Sequence, residues 1–261
     1  MAEYRRCLTD FFTECLRDGL RLAYVSSDGA DAARADLADL DDLDRLLAAG
    51  ALHVLSARDM YGAGGPVDPE RVVASVAAAT EQALADGFRG LAMSGDATAL
   101  VRTPAKRDAF ARYEFLVDRY MAGHPLSALC GYGLELGNDT VTEFALLHAP
   151  GPANATPYQV FACPDGAIGL AGEFDPVGVA ALGRVLPRLR TTDGGALVID
   201  MAGVSYVDHR LLLTLDTYAR ANGVAVSLRS APPFAARLME LLPVDSLHRA
   251  EPGEQGSGAQ G

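Results

Sequence analysis

From Glu3 to Leu20 apolar residues return every three or four positions (Leu8, Phe11, Phe12, Cys15, Leu16), the spacing that lines one side of a helix. The following run, Leu22 to Ser26, drops that period and reads as a short buried strand. This helix–strand alternation then repeats. Asp31 to Ala49 is predicted helical, with Asp36, Asp39, Asp41, Asp42 and Asp44 on a solvated face, and Gly50 stops it before a strand over Ala51–Ser56. Asp68 is placed to accept backbone N–H groups while Pro69 fills the first helical position, so the next helix runs to about Ala85. Gly87–Met93 reads as a strand, Lys106–Met121 as a long helix, Leu126–Tyr132 as a strand and Asn138–Leu147 as a helix. Strands separated by helices of this length predict an α/β fold, a mostly parallel sheet covered on both faces.

Between His148 and Pro157 prolines and small residues replace any period, which predicts a linker. Beyond it, strands over Tyr158–Cys163 and Ala167–Glu173 flank the turn Pro164-Asp-Gly166. A helix capped by Asp175 with Pro176 behind it reaches about Arg190. Then come a strand over Ala196–Asp200, a loop, a helix over Asp208–Asn222, a strand over Val224–Leu228 and a helix after Pro232-Pro233. The expected organisation is a first domain over 1–152, a linker over 153–157, a second small α/β domain with a mixed sheet over 158–250, and a disordered tail over 251–261.

Composition narrows the chemistry. A formal charge of −12 suits neither DNA nor RNA, whose phosphates need clustered Lys and Arg. No segment approaches the roughly 20 apolar residues of a membrane span, and the N-terminus lacks an apolar signal core, so the expected location is the cytoplasm. Cys7, Cys15, Cys130 and Cys163 lie far apart with no metal-ligand spacing; Cys7 and Cys15 share the apolar stripe of the first helix and are expected in the core. His53, His124, His148 and His248 stand singly, without a motif partner. Tyr113 and Glu114 are adjacent on a helix and point apart, which does not suit a paired acid and base.

The stretch Val198-Ile-Asp-Met-Ala-Gly-Val-Ser-Tyr-Val-Asp208 resembles the STAS family, the fold of anti-sigma factor antagonists, and the likeness extends from Tyr158 to Ala250. The resemblance implies a partner, an anti-sigma factor of the ATPase and serine-kinase type, bound at Asp208, His209 and Arg210 with Ser205 nearby. Members of that family usually carry a Ser or Thr directly after the Asp, and it is phosphorylated. Here the sequence reads Asp208-His209-Arg210-Leu211, so that acceptor is missing. The lost switch is physical: a nearly dianionic group at a helix start changes the hydration and charge of a binding surface.

Gly87-Phe-Arg-Gly-Leu-Ala-Met-Ser-Gly-Asp96, Arg112-Tyr-Glu114, Ala128-Leu-Cys-Gly-Tyr132 and Leu147-His-Ala-Pro150 resemble, in order and spacing, the MEDS family of sensory domains. Two features depart from it: Asp96 stands where Glu is common, and the opening strand with its His is missing. The resemblance implies a RecA- or KaiC-like sheet and a sensor of a small molecule or redox state, with Asp96 as a candidate ligand contact. An ATPase relative needs G-x-x-x-x-G-K-[ST], which the chain lacks; Gly62-Ala-Gly-Gly-Pro66 has no Lys and is expected to be a plain loop. There is no G-x-S-x-G and no H-E-x-x-H, so no catalytic residue, metal or cofactor is expected. The leading expectation is a regulatory binding protein. A ligand sensor whose second domain holds a homo-oligomer and a degenerate nucleotide-binding protein are the alternatives.

Overall fold

The computed structural model describes residues 2–149, 156–189 and 196–250. Most of the predicted linker and the whole predicted tail lie outside the described residues. The chain divides into two compact units, Met1–Gly137 and Asn138–Gly261.

In the first unit α1 (Ala2–Arg17) leads to β1 (Arg21–Ser26), α2 (Ala30–Asp36), α3 (Leu43–Ala48), β2 (Leu52–Ser56), α4 (Ala57–Tyr61) and α5 (Pro69–Ala85). The unit closes with β3 (Leu91–Asp96), α6 (Pro104–Met121) and β4 (Leu126–Gly131). The four strands run parallel in the order β2-β1-β3-β4, so the chain moves one way from β1 and then crosses back to β3. Every residue of β1 is buried, as a central parallel strand requires. The sheet's two faces differ. Tyr24 and Ser94 pair on the α1 side, where Leu8, Phe12 and Leu22 are fully buried; Val25, Gly95 and Cys130 pair on the side of α5 and α6.

Three expectations need correction here. The acidic helix breaks between Asp36 and Leu43, with Asp42 in the left-handed region (φ 58°), because short Asp side chains compete for backbone groups and favour turns. Cys7 is exposed while Cys15 is buried: the inward stripe passes through Leu8, Phe12 and Cys15 and leaves Cys7 outside it. The strand expected over 87–93 starts at Leu91. Gly90 has φ 159°, and a Cβ there would sit 2.2 Å from the Pro125 carbonyl oxygen, so Gly87-Phe-Arg-Gly90 is a tight entry to the strand and not part of it.

In the second unit α7 (Asn138–Ala145) precedes β5 (Tyr158–Ala162), β6 (Ile168–Phe174) and α8 (Pro176–Val185). There follow β7 (Leu197–Val207), α9 (Arg210–Asn222), β8 (Val226–Arg229), α10 (Pro233–Leu241) and β9 (Leu247–Arg249). The sheet order is β5-β6-β7-β8-β9, with β5–β6 antiparallel across the predicted turn and the other pairs parallel. The Asp175 cap is present: its Oδ1 accepts from the N–H groups of Val177 (2.9 Å) and Gly178 (2.8 Å). The loop expected after Asp200 is instead a continuation of β7 through Val207, paired with β6. Two register shifts opposite Gly169–Ala171 and Gly172–Glu173 place Met201, Val204 and Val207 inward at intervals of three, which hides the strand's usual period of two.

Candidate functional site

In the second unit, β6 and β7 end side by side, with Glu173 opposite Tyr206 and Phe174 opposite Val207. Asp208 donates its N–H to the Phe174 carbonyl at 2.8 Å, which fixes where α9 begins. Its Oδ1 accepts from the Arg210 N–H at 2.8 Å and lies 3.3 Å from His209 Nδ1, while Arg210 Nε stands off at 3.9 Å. The Asp208 side chain is thus largely turned inward as a structural bracket, whereas His209 and Arg210 are each more than half exposed. Ser205 is exposed on β7, a strand position and not the loop position its neighbours suggested.

Two exposed hydrophobics escaped the sequence reading. Tyr206 is 50% exposed, and Val177, at the start of α8 just beyond β6, is 62% exposed. Tyr206 lies two residues before Asp208 on β7, and Val177 lies two residues after the Asp175 cap that follows β6, so both belong to the ends of the two strands that lead into α8 and α9. Tyr206 was legible only to someone who knew that β7 continued past Asp200. Arg210 also borders a groove of about 440 Å³ between α8 and α9, walled by Leu186, Pro187, Leu213, Thr214 and Tyr218. Gly183 keeps this groove open beside Thr214.

In the first unit Asp96 ends β3, exposed, with Oδ1 accepting from the Thr98 N–H at 2.8 Å. It edges a cavity of about 30 Å³ whose walls include Val25, Met93, Val117 and the polar groups of Tyr61, Tyr113 and Cys130. That volume is of the order of a single water. The carboxyl ends of β1 and β3, where the strand order reverses, are the usual place for a ligand in an open parallel sheet. Tyr61, Phe110 and Tyr113 form an aromatic cluster with centroids 5.2–6.2 Å apart, Tyr61 meeting the other two edge-to-face. Burial pushes the hydroxyls of Tyr61 and Tyr113 and the thiol of Cys130 up, so these groups are neutral at physiological pH. Gly62 to Pro66 forms a loop after α4, and Gly62 (φ 96°) and Gly64 (φ 95°) adopt angles that favour glycine.

On the α1 side Arg5, Asp36, Tyr24, Tyr4 and Ser94 form one chain of polar contacts, with Tyr24 donating to Asp36 at 2.8 Å and Tyr4 3.0 Å from Ser94. Asp36 therefore leaves the solvated acidic face to which the sequence assigned it. Its charge holds Arg5 and Tyr24 against the core.

Thiol chemistry separates the cysteines. Burial pushes Cys15 up to about 11 and raises Cys130 and Cys163, while Cys7 is exposed. Iodoacetamide at pH 8 should label Cys7 rapidly, with the other three at least about tenfold slower until the chain unfolds. Equal rates at Cys7 and Cys130, read by mass spectrometry, would contradict this packing.

Among the described residues no group of three or more His, Cys, Asp or Glu is arranged to hold a metal, and no described helix is long and apolar enough to cross a membrane. Residues 1–149 match the family model described as MEDS, the MEthanogen/methylotroph, DcmR Sensory domain. The chain belongs to the MEDS family. Residues 163–249 match the model described as Mlab, STAS domain, in the order that the motifs predicted. MEDS is a sensory family and STAS a regulatory one, and neither is an enzyme family. The MEDS match runs past Asn138, where the second compact unit begins, so α7 falls within the family match and within the second unit. No curated protein and no solved structure shows a significant match to the chain.

Proposed function

We propose that this MEDS–STAS chain is a cytoplasmic regulatory protein whose second unit binds an anti-sigma factor of the ATPase and serine-kinase type at the start of α9. The observation that carries the reading is that His209 and Arg210 are both more than half exposed where α9 begins, with exposed Tyr206 shortly before them at the end of β7. Exposed tyrosine and arginine are residue types enriched at interface hot spots. With His209 at the position that usually carries the phosphoacceptor, kinase action there cannot release the partner. Control then falls to the first unit. A small molecule at the carboxyl ends of β1 and β3, near Asp96, is favoured over redox sensing at Cys130, whose buried thiol has little thiolate to react.

An affinity pull-down of the tagged full chain from its native lysate, read by mass spectrometry, tests the partner. Recovery of an ATPase-type anti-sigma factor is expected, with binding weakened about tenfold or more by Arg210→Glu, a substitution at a side chain 58% exposed. Absence of any such factor across growth conditions overturns the reading. His209→Ser should fold normally, because Ser is a good residue at a helix start, and should accept phosphate from the cognate kinase. No label transfer with that kinase counts against the intact surface.

A further inference from the structure

Glu114 lies within α6 and is 3% exposed. Tyr132 donates a hydrogen bond to its Oε1 at 3.0 Å, and the Cys130 thiol donates another. Both donors are neutral. No ion pair to Glu114 is present among the described residues, which is unusual for a buried acid, since a buried charge normally has a counterion.

We propose that Glu114, ringed by Cys130, Tyr132, Tyr113 and Tyr61, is a proton-operated switch in the first unit, closed while the acid is neutral and loosened along the seam between α6 and β4 when it ionises. The groups around it are these. α4 contributes Tyr61, and α6 itself contributes Tyr113 and, one turn on, buried Asp118. β4 contributes Cys130, and the segment after it Tyr132. β3 contributes Asp96, exposed and engaged with Thr98, and α1 contributes Tyr4, which acts on Tyr61. α5 presents Val72, Val76, Thr80 and Ala83 as its buried residues; its Glu70 is engaged by Arg112 at 2.8 Å on the surface. Ionisation therefore adds a negative charge to a surround of hydroxyls, a thiol and apolar side chains.

Desolvation pushes Glu114 up from 4.5 to about 7, against the lowering effect of the Tyr132 and Cys130 hydrogen bonds. The sign follows from which state holds the proton. Below the ordinary value both closed and opened forms are protonated, and the closed form is at its most stable. Between there and about 7 the opened form releases a proton that the closed form keeps, so closing weakens as pH rises. Above about 7 both forms are ionised and the dependence ends. Tyr132 stands shortly before Asn138, so the loosening would reach the stretch leading into the second unit.

Hydrogen exchange of the full chain between about pH 5 and pH 8.5, corrected for intrinsic rates, tests this in peptides covering 108–137. The opening equilibrium should rise about tenfold per pH unit up to neutrality and then level off. Glu114→Gln should flatten the profile. Tyr132→Phe removes a bond that favours the charged form, so its plateau should begin at higher pH, a displacement that simple destabilisation does not produce. A flat wild-type profile, the same slope in Glu114→Gln, or an unmoved plateau in Tyr132→Phe overturns the proposal. If Glu114→Gln does not fold, the comparison of Tyr132→Phe with the wild type decides alone.

Discussion

Gly172→Ala should cost the second unit about 3 kcal/mol or more, among the largest effects of any single methyl added to this chain. Gly172 has φ 87°, and a Cβ built there would lie 2.0 Å from the Pro157 carbonyl oxygen and 3.1 Å from the Tyr158 Cα. The obstacle is backbone, the Pro157 carbonyl just before β5 and Tyr158 at its start, so no side chain can swing aside. The residue also sits at a register shift that lets β6 follow the long β7, and Glu173 donates its N–H to that same Pro157 carbonyl at 2.9 Å. Urea unfolding of the full chain should show the transition of the second unit lowered by about 1.5 M, taking a slope of roughly 2 kcal/mol per molar. Gly223→Ala is the control: it has φ 63° after α9 but nothing within 4 Å of its Cβ position, so it should cost only about 1 kcal/mol. Equal losses at the two sites would mean that backbone angle, and not the Pro157 contact, sets the cost.

Glu143→Ala should be nearly as damaging, at about 3 kcal/mol, and it should act on the second unit although residue 143 falls inside the MEDS match. Glu143 is 5% exposed, and its carboxylate accepts from Arg184 Nε and Arg188 Nη1, both at 2.7 Å. Its loss leaves two partly buried guanidinium groups of the α8 segment without that carboxylate. Arg184 has a fallback in Asp139 at 3.8 Å, which tempers the effect. Phe144, Leu146 and Leu147 are fully or almost fully buried beside it, and Val160 donates its N–H to the Leu146 carbonyl at 2.7 Å, so this segment helps to build the second core. Thiol labelling in a urea series separates the units, since Cys163 reports on the second and Cys15 and Cys130 on the first. Earlier labelling of Cys163 in the variant is expected. Earlier labelling of Cys15 and Cys130 instead would assign α7's energetic role to the first unit.

Local signals in this chain were strong wherever a single residue type suffices to make the structure. Asp68–Pro69 and Asp175–Pro176 announced helix starts, because a carboxylate cap and a proline act within one turn, and both caps are formed. The two families were readable from short motifs, and both are present in that order. The failures share a cause. Asp42, Gly90 and β7 all depend on what a distant strand or loop places beside them, and period-counting along one segment does not see it. Cys7 failed more simply, because one helical stripe was drawn a residue too wide.

The candidate sites divide in the same way. His209 and Arg210 could be picked out from the motif that ends at Asp208, because a strand followed by a helix start is a local pattern. Tyr206 could not, since its exposure near the start of α9 depends on β7 continuing to Val207 in register with β6. Adjacency along α6 does not suit Tyr113 and Glu114 to act as a paired acid and base; both are buried, with Tyr61 against Tyr113 and Tyr132 donating to Glu114, so they share one buried cluster instead. By itself the sequence determined the α/β class and the two families, both of which are written in the spacing and identity of nearby residues. Only the tertiary structure decided that β4 and Tyr132 close over Glu114, that β7 continues to Val207 and that α7 joins the second core. Burial and strand pairing join residues far apart along the chain, and so do the desolvation and hydrogen bonding that follow from them.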